Sequence, residues 1–143
     1  GARGTSQAVI LRMLPDIDRA FAGEQYRKFR SRFVGDFSSI PAVREYPGGQ
    51  GRDNRGDIDS GPLIFGISLS ATVVAMGCSQ IYGDRALADA ISQTGEVIGL
   101  PIGKKRRRYM GGFLPVADAF LVHATTARPW LDPATQGKKQ LKM

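Results

Sequence analysis

The sequence has 143 residues, of which 42% are hydrophobic, and Lys and Arg outnumber Asp and Glu by 20 to 13. A chain of this length suits one domain, and its apolar content is sufficient for a buried core, which excludes a disordered polar tail. The net charge of +7 is compatible with a polyanionic partner, and the single cysteine excludes a disulfide within the chain.

The N-terminal part of the chain predicts two helices separated by a proline. A short apolar helix is expected over 6–14 and a second helix over 15–34, with Asp16 and Asp18 near the positive end of the second helix. The apolar face expected of this second helix is formed by Ile17, Phe21, Phe29 and Phe33. Its other side carries the cations Arg27, Lys28, Arg30 and Arg32. We interpret these cations as a solvated face, with phosphate binding as the alternative.

The stretch 35–61 shows no helical periodicity and holds most of the chemically reactive side chains. It reads PAVREYPGG and then RDNRGDIDSGP, in which carboxylates and arginines are interleaved with turn-forming residues. Loops longer than about 15 residues are uncommon inside compact domains and are usually functional or disordered. Apolar residues such as Ile40 and Val43 occur throughout this stretch, so we predict an ordered functional loop, and no convincing strand pattern competes.

Three further helical patterns complete the expected all-α fold. The helices predicted after the loop span 62–82, 84–98 and 116–127. The first of them has a packing seam at spacings of four and three, which consists of Ile67, Ala71, Val74, Cys78 and Ile81. Gly83 and Asp84 predict a tight turn into the next helix, and a basic loop occupies 99–115. The sequence therefore predicts one domain over 1–143, built from helical hairpins with about five helices and two long loops.

One segment of the chain resembles a known superfamily. The sequence DIDSGPLIFGISLSATVVAMGCSQIYGD at 57–84, with REYP upstream and PVADAF and TARPW downstream, resembles the helical hairpins of the α/α-toroid, or six-hairpin glycosidase-like, superfamily. The resemblance implies a hydrolase or lyase acting on a carbohydrate, with active-site carboxylates on loops at one end. A complete toroid has more helices than the five expected here. The chain would then be the C-terminal part of a larger protein, completed by the missing remainder or by further copies.

The carboxylates of the long loop are the catalytic candidates under this resemblance. Asp57 or Asp59 would act as base or nucleophile and Glu45 as general acid, since glycoside hydrolysis uses two carboxylates in different protonation states. Both aspartates precede a helix whose dipole favours the ionised form. Structural roles stay open, with Asp59 as a turn or capping residue and Asp57 in an ion pair with an arginine. The candidate substrate-binding residues are Arg44, Tyr46, Arg55, Tyr109 and Trp130.

The alternative function is a non-catalytic binding or assembly module. In this interpretation the run KKRRR at 104–108, together with the second helix, engages a polyanion. Few aromatic residues are interleaved with these cations, so nucleic acid is not the expected partner, although it is not excluded. A membrane partner is also not expected, because the apolar stretch 62–78 is shorter than the roughly 20 residues of a span.

Two remaining reactive side chains are expected to be structural. Cys78 lies in an apolar helical pattern and His123 on an apolar face, so both are predicted to be buried core residues. The chain has no Cys and His set of the kind that binds structural zinc. We therefore predict neither a metal nor a cofactor.

Overall fold

A computed structural model describes residues 1–49, 63–98 and 115–128. Within these ranges the chain is a mostly helical small domain with five α-helices and one antiparallel β-hairpin. The elements are α1 (Gly4–Met13), α2 (Arg19–Phe33), β1 (Val34–Phe37), β2 (Ile40–Val43), α3 (Leu69–Ile81), α4 (Arg85–Ile98) and α5 (Pro115–Thr125), with 3₁₀ turns at Leu14–Asp16 and Pro47–Gly49. The prediction of a helical domain with five helices is confirmed.

The β-hairpin corrects the prediction of an all-α chain. β1 pairs antiparallel with β2, with Val34 opposite Val43, so the first part of the predicted loop 35–61 is a hairpin. Ser38 and Ser39 form its turn with positive φ angles of 49° and 68°. A strand of four residues is too short to show a clear alternation of apolar and polar side chains. The turn sequences that commonly indicate a hairpin are Asn-Gly and Asp-Gly, whereas this turn is Ser-Ser. The sequence therefore carried almost no sign of this hairpin.

The second helix begins later than predicted. Pro15 lies in the 3₁₀ turn, and α2 starts after Asp18, whose Oδ1 accepts a hydrogen bond from the Phe21 N–H at 2.9 Å. The buried face of α2 consists of Ala22, Tyr26, Phe29 and Phe33, at spacings of four, three and four. Ile17 and Phe21, which were expected on the same apolar face, are exposed. Ile17 precedes the helix, and Phe21 lies one position before the first residue of the buried stripe.

α3 is the central helix of the domain and contacts α1, α4 and α5. It begins at Leu69 rather than at residue 62, because Ser68 caps it by accepting a hydrogen bond from the Ala71 N–H at 3.1 Å. A Cβ added to Gly77 would lie 3.3 Å from the Cα atom of Ala124 in α5. The small residues of α3 therefore allow a close approach of its neighbour, as the sequence predicted.

The turn from α3 to α4 has the predicted form. Gly83 adopts a positive φ of 76°, and Asp84 accepts a hydrogen bond from the Leu87 N–H at the start of α4. The described helices show no toroid. Membership of the toroid superfamily, and with it the idea of a missing remainder, stays a prediction.

Candidate polyanion-binding surface

The predicted site residues fall into two groups in the structure. Asp57, Asp59, Arg55, Tyr109 and Trp130 lie outside the described residues, as do the basic run 104–108 and most of the loop that contains it. Arg44, Glu45 and Tyr46 are described and follow directly after β2. Their geometry indicates what the described part of the predicted site can do.

Glu45 is completely buried, with a solvent-exposed fraction of 0%. Its Oε1 accepts a hydrogen bond from Arg3 Nε at 2.8 Å, and its Oε2 accepts one from Thr5 Oγ1 at 2.6 Å. The main-chain N–H of Thr5, in the first turn of α1, also donates to Oε2 at 3.2 Å. A carboxylate in this position satisfies amides that the start of a helix leaves without partners, and the helix dipole favours its negative charge.

The same residue also joins α1 to the start of α3. The carbonyl of Glu45 accepts a hydrogen bond from the Gly4 N–H at 2.7 Å, and its own N–H donates to the Gly66 carbonyl at 3.0 Å. Thr5 Oγ1 lies 3.2 Å from Oγ of Ser68, the residue that caps α3. A general acid must reach the leaving group of its substrate. The described geometry instead gives Glu45 a structural role, and its catalytic role with Asp57 and Asp59 stays a prediction.

Arg44 and Tyr46 flank Glu45 but differ from it in exposure. Because side chains alternate along an extended chain, Val43 and Glu45 point inward while Arg44 is exposed. The guanidinium of Arg44 lies over Gly35 just after α2, since a Cβ added to Gly35 would be 3.4 Å from Arg44 Nε. Tyr46 is half-buried. Arg44 therefore lies beside the end of α2, where other cations are found.

The solvent-facing side of α2 carries a dense set of cations. We call this set the basic face, and it consists of Arg27, Lys28, Arg30 and Arg32, all of them exposed. They occur within six consecutive positions, so they are distributed around the solvent-exposed part of the helix, and Lys28 and Arg32 share one side of it. The helix is anchored by that stripe, so the cations are held on a rigid element rather than on a loop.

Only part of this positive charge is balanced by neighbouring carboxylates. Lys28 Nζ lies 2.6 Å from Glu24 Oε1, and Arg30 Nε lies 3.1 Å from Asp84 Oδ2. The hydrogen bond from Lys28 and its charge hold the pKa of Glu24 below its ordinary value. Within the part of the chain that the structure describes, Arg27 and Arg32 have no carboxylate at ion-pair distance. Among the described residues, these two guanidinium groups are thus the members of the basic face without an ion pair.

Cys78 and His123 do not form a reactive pair. Cys78 is buried, as predicted, its Sγ donates to the Ala8 carbonyl at 3.2 Å, and burial raises the pKa of the thiol to about 12. The prediction that His123 is buried is wrong, because its side chain is exposed and Nε2 accepts a hydrogen bond from Arg12 Nε at 3.4 Å. The thiol is protonated at neutral pH, which removes its nucleophilic form.

The described residues contain neither a metal-binding cluster nor a membrane-spanning helix. No group of three or more His, Cys, Asp or Glu side chains in these ranges could hold a metal ion. None of the described helices combines the length and the apolar character needed to cross a bilayer.

No protein-family model and no curated protein matches the sequence. The arrangement of the described side chains is therefore the basis for a proposed function.

The sequence located the basic face but not its surroundings. The cations of α2 were visible as a charge concentration, whereas the exposure of Ile17 and Phe21 beside them depends on the actual start of the helix. The capping role of Asp18 was the signal that could have placed that start, because an aspartate before a helix commonly accepts a hydrogen bond from an amide of its first turn.

Proposed function

We propose that this chain is a non-catalytic binding module whose basic face on α2 engages a polyanion. The observation that carries the proposal is the set of four exposed cations, two of which have no ion-pair partner among the described residues. Binding to a polyanion releases condensed counterions, so several exposed cations on one rigid helix provide both affinity and a strong dependence on salt.

The arrangement of the charges supports recognition of an extended anion. Lys28 and Arg32 are four residues apart and are therefore neighbours on one side of α2, roughly 6 Å apart along a helix that rises 1.5 Å per residue. Two phosphates along one strand of a nucleic acid or on neighbouring lipid headgroups lie at comparable separations. Arg44, just beyond the end of α2, would extend the same positive surface.

The carbohydrate hydrolase or lyase interpretation gains no support from the described residues. Glu45, the proposed acid, is enclosed by Arg3, Thr5 and the starts of two helices. An enzyme of this kind would need its proton donor in contact with substrate. We therefore favour the binding module over the enzyme.

The proposal is tested by titrating the protein with a fluorescently labelled short DNA duplex, used as a regular array of phosphates. Each phosphate that a cation contacts contributes about −0.9 to the slope of log K against log of the salt concentration, so log K should fall between about 50 and about 200 mM salt. Replacing Arg27 and Arg32 with serine should make this slope shallower by about 2. The loop 99–115 is left unchanged, so that the change reports α2 alone.

The matched control is Arg128→Ser, which removes an exposed arginine that follows α5. This variant should retain the slope and nearly the full affinity of the parent. An unchanged slope after loss of both Arg27 and Arg32, or an equal loss in the Arg128 variant, would contradict the proposal.

A further inference from the structure

Five large apolar side chains are exposed where α1 leads into α2. We call them the apolar strip, and it consists of Val9, Ile10, Met13, Ile17 and Phe21, each between 48% and 81% exposed. Soluble monomers rarely expose large contiguous apolar surfaces without a binding function. The two helices have their own buried faces, so the strip is additional to the apolar surface that the core uses.

The five residues lie within one stretch of the chain, from the second half of α1 to the first turn of α2. Val9, Ile10 and Met13 share one face of α1, because positions three and four apart on a helix are neighbours. Ile17 follows Met13 by four residues at the end of the 3₁₀ turn, and Phe21 follows Ile17 by four residues in the first turn of α2. The strip is thus continuous along the chain from the end of one helix to the start of the next.

The apolar strip continues directly into the basic face. Lys28 and Arg32 follow Phe21 by seven and eleven residues, so all three lie on the same side of α2. With a rise of 1.5 Å per residue, Lys28 is roughly 10 Å along the helix from Phe21. Interfacial protein segments bury their apolar face about 5–10 Å deep at the boundary between headgroups and acyl chains, with cations at the headgroups.

We infer that the apolar strip and the two cations of the basic face on the same side of α2, Lys28 and Arg32, together dock onto an anionic lipid surface. The inference rests on the proposed polyanion binding and names its partner. Charge complementarity selects this partner, since a net charge of +7 attracts an anionic bilayer and would repel a second copy of the chain. A membrane partner was not expected from the sequence because its apolar stretch 62–78 is too short for a span, whereas docking at the surface requires no helix to cross the bilayer.

Co-sedimentation with vesicles tests this inference. The probes are vesicles of phosphatidylcholine alone and vesicles of equal parts phosphatidylcholine and phosphatidylglycerol. We expect the protein to bind the anionic vesicles at least tenfold more strongly than the neutral ones. Replacing Ile17 and Phe21 with serine should weaken binding to the anionic vesicles about tenfold, because these side chains would no longer enter the apolar region.

The control variant is Val122→Ser, which removes an apolar side chain of α5 that is 62% exposed. It should bind both kinds of vesicle as the parent does, and thermal unfolding checks that each variant is folded. Both variants are also titrated with the DNA duplex, and the loss of Ile17 and Phe21 should leave that binding unchanged.

The outcomes separate this inference from the proposed function. Binding to duplex DNA without binding to anionic vesicles would overturn the lipid inference and leave the polyanion module standing. Failure to bind either probe would overturn both. Equal binding of the parent and the Ile17 and Phe21 variant to anionic vesicles would overturn the role of the apolar strip, and equal weakening by the Val122 change would do the same.

Discussion

Asp84 shows how one side chain joins three parts of this fold. Its Oδ1 accepts from the Leu87 N–H at 3.2 Å, while its Oδ2 accepts from Tyr26 Oη at 3.0 Å and from Arg30 Nε at 3.1 Å. Burial acts to raise the pKa of Asp84, but the hydrogen bonds from Leu87, Tyr26 and Arg30 outweigh it and the pKa is lowered. Asp84 thus fixes the start of α4 against α2, the helix that carries the basic face.

We expect Asp84→Ala to lower the free energy of unfolding by about 1–2 kcal/mol at pH 7, from the loss of a helix cap and of hydrogen bonds. A carboxyl whose folded pKa is depressed stabilises the protein above its unfolded value, here 3.8, and this contribution is lost as the pH falls through the folded value. Urea denaturation at pH 7 and at pH 3 measures both effects.

The control for this prediction is Asp89→Ala, which removes an exposed carboxylate from the same helix. It should change stability by less than about 0.5 kcal/mol. The role of Asp84 would be contradicted if both substitutions had the same effect, or if the deficit of the Asp84 variant were as large at pH 3 as at pH 7.

At the scale of the elements, Glu45 links α1, the end of the hairpin and the start of α3. Its partners Arg3 and Thr5 precede it by 42 and 40 residues, and its partner Gly66 lies just before α3. Three of the contacts are made by its main chain or to the main chain of a partner. The junction therefore depends on the position of the backbone as well as on the carboxylate.

We expect Glu45→Gln to destabilise the domain by about 1–3 kcal/mol, because a neutral amide replaces the charge that pairs with the partly exposed Arg3 and cannot accept hydrogen bonds at both of its positions. Chemical denaturation followed by circular dichroism measures the loss. Asp36→Asn, which alters an exposed carboxylate on the neighbouring strand, should leave the midpoint nearly unchanged. If the Glu45 variant were as stable as the wild type, the structural role of Glu45 would be contradicted. Its catalytic role would then be the alternative.

The elements differ in how far sequence alone could predict them. The periodic segments α1 to α5 were found because their apolar stripes repeat over several turns, and the α3–α4 turn was found because Gly83 and Asp84 are strong local signals. The hairpin and the Glu45 junction were missed because both depend on pairings between segments rather than on local pattern. The cations of α2 were visible in the sequence, but their exposure and the pairing of two of them with carboxylates required the fold.

At the scale of the whole molecule, the positions of the charged side chains indicate more about the partner than the net charge does. The basic face lies on α2, next to the apolar strip that runs from α1, while the buried carboxylate Glu45 is enclosed at the junction of two helix starts. Cations and apolar side chains on one exposed side favour a partner that offers both negative charge and an apolar layer. These two features are the basis of the proposed docking surface.

The most direct test of the central claim is an NMR titration of the isotopically labelled protein with the DNA duplex. If the basic face is the binding surface, the largest chemical-shift changes should occur at the amides and guanidinium groups of Arg27, Arg30 and Arg32, and they should fade as salt is added. Salt-sensitive changes confined to residues outside α2, with the signals of the helix unmoved at saturation, would contradict it.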